Sequence, residues 1–131
     1  MILLDFQLAG FLGRFHPLVV HLPIGFLLLA GLTEIISRRR GGDLNNAISL
    51  MLLSGAIASV LAVALGWLLA GDGGYNESTL FWHRWVGVAV AVVSIWAWLA
   101  KSEKLKTSSY AYRLSLWCLL ALIAITGHLG G

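Results

Sequence analysis

The chain has 131 residues, of which 59% are hydrophobic and 11% charged; nine Lys/Arg against six Asp/Glu leave a net charge of +3, and the mean hydropathy is +0.86. A soluble domain of this size has too much surface for so few charges, so an ordinary water-soluble fold is excluded and a lipid-facing one is expected. The pI near 9.4 reflects loop charges that orient membrane helices, and nucleic-acid binding has no place in the account.

In chain order, Met1–Phe15 places Leu4, Leu8, Phe11, Leu12 and Phe15 on one stripe, with Asp5, Gln7 and Arg14 on the other faces. That pattern predicts an interfacial helix on the outer leaflet. It lacks the early positive charge of a signal peptide. Four stretches then reach the roughly 20 apolar residues that cross a bilayer: Leu18–Ser37, Ala47–Ala70, Thr79–Ala100 and Tyr110–Gly127. The short polar connections at 38–43, 71–74 and 101–106 force antiparallel neighbours, giving a single all-α membrane domain over 1–131, an up-down bundle of four transmembrane helices.

Orientation follows from charge, because cytoplasmic loops keep Lys and Arg. Arg38, Arg39, Arg40, Lys101, Lys104, Lys106 and Arg113 flank the first and third connections, leaving Arg14 and Arg84 at the other end. Both termini are therefore expected outside, in the multi-pass topology of a bacterial inner-membrane protein. Cys118 is the single cysteine, and no disulfide framework exists.

All four histidines then fall in one extracytoplasmic layer. His16 and His21 open the first span, His83 opens the third, and His128 closes the fourth. Ionisable groups within spans are expensive and usually functional. His21-x-x-x-Gly25 in the first span and His83-x-x-x-Gly87 in the third form a weak repeat in parallel, diagonal helices, with Trp67 of the second standing where the fourth has His128. A glycine four residues on lies on the same helix face and would clear room for a flat porphyrin. Ser54, Ala58, Ala62, Gly66 and Ala70 form a small-residue stripe that either lines such a cofactor or serves ordinary helix packing. Arg14 and Arg84 would pair with haem propionates or anchor lipid phosphates. Trp67, Trp82 and Trp85 fit an interfacial belt, and Glu34 an ion pair with Arg38, with a proton relay as its alternative.

No Cys-x-x-Cys-His, His-Glu-x-x-His, P-loop or Gly-x-Ser-x-Gly motif occurs. Covalent haem, hydrolase and nucleotide-driven pump readings lack support, and whether the chain is an enzyme stays open. The segments Phe15-His16-Pro17-Leu18-Val19-Val20-His21-Leu22-Pro23-Ile24-Gly25 and Thr126-Gly127-His128-Leu129-Gly130-Gly131 resemble the four-helix inner-membrane domain of unknown function, often called rubredoxin-like, that precedes c-type cytochrome modules in planctomycete-type cytochrome proteins. The resemblance implies a redox setting, with His16, His21, His83 and His128 as matching positions and the cytochrome module lost, supplied by another subunit, or carried by a longer protein of which this is the membrane part.

The leading expectation is a membrane electron-transfer subunit with b-type haem near the periplasmic face. His21 and His83 would be the axial ligands, His16 and His128 would tune them or complete a second site, and electrons would pass from quinol to a periplasmic c-type cytochrome or a larger redox complex. Two alternatives stand beside it: a non-catalytic anchor or scaffold subunit, and a divalent-metal site in which three imidazoles and water hold zinc or copper.

Overall fold

The computed structural model describes residues 8, 10–71, 74 and 76–130. Among them the regular elements are all helical: α1 (His16–Val19), α2 (His21–Arg40), α3 (Asn45–Ala70), α4 (Glu77–Lys101) and α5 (Ser109–Gly130). Four helices are long and apolar enough to cross a membrane: Gly10–Arg40, Asn45–Ala70, Glu77–Lys101 and Ser109–Gly130. The expected four-span, all-α architecture is present, with each helix extending past the bounds read from the sequence.

The first membrane-length helix differs most from expectation. Most of the expected surface helix, residues 1–7 and 9, lies outside the described residues. Its described part, Gly10–Phe15, runs on into the membrane-length helix. Two interruptions mark the path, at residues 14–15 and at Val20. Each precedes a proline, Pro17 or Pro23, which lacks an N–H and crowds the carbonyl four residues earlier. The rod continues regardless, because Val20 N–H still bonds His16 O at 3.0 Å and Ile24 N–H bonds Val20 O at 3.4 Å.

Register with the second span is fixed by glycines. Gly13 abuts the backbone of Leu68 and Leu69, the His16 ring abuts Gly66, and Leu27 abuts Gly55. Equal steps down the first helix match equal steps back along α3, so the pair is antiparallel without a slip from Gly13 to Leu27. Gly41, in the left-handed region at φ 70°, ends α2 after Arg38–Arg40, and the cations suit the negative end of the helix dipole. Asn76 caps α4 by accepting the Thr79 N–H at 3.1 Å.

Leu27, Ala30, Ile48, Leu52, Val90, Ala97, Tyr112, Leu119 and Ile123 form the core. Buried Ser59, Ser94 and Ser115 return their hydroxyls to carbonyls of their own helices, which removes the penalty of an unpaired hydroxyl in an apolar setting. Large residues such as Leu18, Leu50, Ile57, Val92 and Leu114 are exposed, as a lipid-facing surface requires. Consecutive helices pack extensively, whereas α2 and α5 touch sparsely. That seam is closed near Gly31 and Leu120 and by Glu34, which accepts from Arg38 (2.7 Å) on its own helix, Lys101 (2.9 Å) on α4 and Tyr112 (3.2 Å) on α5. Arg38 is the partner the sequence indicates; the other two come from the fold.

Candidate functional site

At the end of the bundle opposite Glu34 the same seam encloses a cavity of about 680 Å³, within the range of small-molecule and cofactor sites. His16, His21, His83, Arg84 and Gly87 line it, as do Ala62, Gly66 and Ala70 from the small-residue stripe. Ser54 and Ala58 of that stripe lie outside the lining; Ala58 is packed in the protein interior.

Two imidazoles meet here. The rings of His16 and His83 stand with centroids 6.0 Å apart and planes at 85°. His16 Nδ1 bonds the Ala62 carbonyl at 2.8 Å and His83 Nδ1 bonds the Thr126 carbonyl at 3.2 Å. A carbonyl only accepts, so each neutral ring carries its proton on Nδ1 and keeps the lone pair on Nε2. Neither Nε2 has a hydrogen-bond partner among the described residues.

Glycines make both contacts possible. A Cβ on Gly66 would sit 2.9 Å from His16 Cε1, and one on Gly130 would sit 2.7 Å from His83 Cε1. Each glycine follows the accepting carbonyl by four residues, Ala62 to Gly66 and Thr126 to Gly130. In a helix those two residues are already joined by the backbone ladder. Omitting the side chain at the donor end therefore opens the flank of the carbonyl to a second donor, the imidazole of the neighbouring helix. The unit occurs once in each hairpin.

This repeat differs from the one the sequence suggests. His21-x-x-x-Gly25 was expected to match His83-x-x-x-Gly87, but the ring that meets His83 is His16's. His21 is exposed and bonds Pro17 O at 2.7 Å within its own helix, although it lines the cavity. Nothing lies within 4 Å of a Cβ built on Gly25, and for Gly87 the nearest atom is Val63 Cγ2 at 3.9 Å. Gly25 thus opens onto free space, while Gly87 borders the cavity. His128 is exposed and absent from the lining, as is Arg14; neither reaches the site. Among the described residues no three His, Cys, Asp or Glu side chains converge on a common point. Among the described residues the two imidazoles brought together are those of His16 and His83.

The residues missed from the sequence are Gly66 and Gly130 as ring seats and the carbonyls of Ala62 and Thr126 as anchors. Their signal was a glycine near the end of each returning helix, opposite a histidine near the start of the one before.

No curated protein and no solved structure matches the chain. The model of the family described as "Predicted membrane protein (DUF2231)" matches residues 14–131, from just before His16 to the last residue, and this four-helix membrane chain belongs to that family.

Proposed function

We propose that the chain is a membrane electron-transfer subunit in which His16 and His83 hold a b-type haem in the cavity between the first and fourth spans. One observation carries the reading: two imidazoles on diagonal helices, each with Nδ1 tied to a backbone carbonyl and Nε2 unclaimed. With their centroids 6.0 Å apart, the His16 and His83 rings are near enough that both Nε2 atoms would serve one haem iron. Hydrogen bonding of Nδ1–H to a carbonyl fixes the tautomer and ring orientation and raises the basicity of the free nitrogen. Glycine seats under both rings hold that orientation.

Haem would supply a one-electron couple whose potential depends on its ligands and on burial. The chain's own contribution is ligation, ring orientation and an apolar surround. Seven of the nine Lys/Arg flank the connections at the Glu34 end, which orients the histidine end and both termini to the extracytoplasmic side of a bacterial inner membrane. A haem there suits exchange with a c-type cytochrome or a larger redox complex, with quinol as the membrane donor. The likeness of the His16–Gly25 segment to domains that precede cytochrome modules supports the same setting.

The test is an absorption spectrum of purified protein expressed with a haem supply. The expected result is a Soret band and a sharp α band on reduction, lost in His16→Ala and in His83→Ala and kept in His21→Ala and His128→Ala. Wild-type protein without these bands would give way to the scaffold reading.

A further inference from the structure

Arg84 follows His83 on α4 and lines the same cavity, yet the imidazole pair does not use it. Its Nε is buried and has no hydrogen-bond partner. Its guanidinium carbon stands 5.1 Å from the centroid of the Trp67 ring. That cation–π contact supplies no acceptor for Nε–H. A guanidinium offers five donors and no acceptor, so only an acceptor can satisfy Nε.

The described chain does not provide one. Both salt bridges among the described residues end on Glu34 at the other end of the bundle. Asn76, on the same lining, already spends its Oδ1 on the Thr79 N–H. A donor shut off from solvent with no acceptor is costly, and it persists where a ligand completes it. The rest of the lining is mainly apolar and includes Val20, Ile24, Val63, Val90 and Ile123. It also lies along the sparsely closed seam between α2 and α5, where a lipid-soluble molecule can enter sideways.

We propose that Arg84 is the anion-binding residue of this cavity, gripping through Nε–H and an adjacent Nη–H the carboxylate or phosphate of an amphipathic ligand whose apolar body fills the seam. Fork-shaped donors match the two oxygens of either group. Two molecules bring this chemistry: a haem through a propionate, which rests on the haem reading above, and an anionic phospholipid through its phosphate, which does not.

The experiment compares wild type, Arg84→Met and Arg84→Lys in two arms. In the first, detergent-solubilised protein is titrated with iron protoporphyrin IX and with its dimethyl ester. For a propionate, Arg84→Met weakens binding of the acid at least tenfold and leaves the ester unchanged, while Arg84→Lys falls between, since it keeps the charge but not the fork. In the second arm, native mass spectrometry follows phosphatidylglycerol and uncharged diacylglycerol. For a lipid phosphate, wild type retains phosphatidylglycerol alone and Arg84→Met retains neither. If wild type takes up neither porphyrin, the haem reading fails by itself and the lipid arm decides the role of Arg84. Removing a guanidinium whose buried Nε–H lacks an acceptor should leave Arg84→Met melting no lower than ligand-free wild type. The proposal is overturned if Arg84→Met binds both the acid porphyrin and phosphatidylglycerol as tightly as wild type does, or if wild type binds neither.

Discussion

Gly130→Ala and Gly66→Ala should destabilise the bundle, whereas Gly25→Ala should not. A Cβ at Gly130 would stand 2.7 Å from His83 Cε1 and 3.1 Å from its Nδ1; at Gly66 the corresponding distances to His16 are 2.9 and 3.0 Å. The ring must move, and Nδ1, the next atom after Cε1 to be struck, carries the carbonyl bond. Overpacking of a filled site costs about 1–3 kcal/mol, and loss of the Nδ1–carbonyl bond adds about 1 kcal/mol. Replacing glycine by alanine in a helix returns about 1 kcal/mol. The expected net loss is therefore about 1–3 kcal/mol. Gly25→Ala has nothing within 4 Å to strike, so only the helix gain of up to about 1 kcal/mol applies. A separation of about 2–4 kcal/mol corresponds to roughly 8–16 °C in unfolding midpoint for a chain of this size, readable by thermal melts in detergent. Adding His16→Ala to Gly66→Ala should recover the packing part of the loss, because the ring that was struck is gone. Equal melting of all three glycine variants would refute the idea that glycines seat the imidazoles.

Other outcomes follow from the same geometry. Glu34→Ala should cost about 3 kcal/mol or more, since it strands Lys101, whose side chain is only 12% exposed, whereas Arg38→Ala should cost under about 1 kcal/mol because Arg38 is 44% exposed; denaturant melts of the two variants and their double decide it. Gly13→Ala should be more damaging than Gly55→Ala, because its Cβ meets the Leu69 backbone at 2.5 Å while the atoms nearest that of Gly55 belong to the side chains of Leu27 and Phe26 rather than to backbone; comparison of their thermal midpoints tests this. Reporter fusions after Arg40 and after Lys106 should be active only as cytoplasmic reporters, and periplasmic activity at both would reverse the orientation.

The four spans were legible because hydrocarbon thickness imposes a length that composition alone reveals. The first long helix reaches back to Gly10, beyond the span read from Leu18. Arg14 lies within that extension, and the close approach of Gly13 to α3 carries the helix past it. Glu34 shows where legibility stops. Its i+4 partner Arg38 is a property of one helix, whereas Lys101 and Tyr112 reach it only after three more helices have been placed. The histidines repeat that division. His-x-x-x-Gly within a span was visible; His16 on Gly66 and His83 on Gly130 depend on interhelical register, which the packing of Gly13 and Gly55 sets for the first hairpin.

That division also bears on how the site works. Each imidazole is held entirely within its own hairpin, His16 by the second span and His83 by the fourth. The gap between the rings is consequently set by how the two hairpins sit together, through the broad α3–α4 contact and the narrow α2–α5 seam. The Glu34 network fixes that seam at one end, and no comparable set of polar contacts among the described residues bridges it at the other. A ligand bound between His16 and His83 would supply the missing closure, so occupancy and bundle stability should be coupled through mass action, most strongly in variants that weaken the Glu34 end.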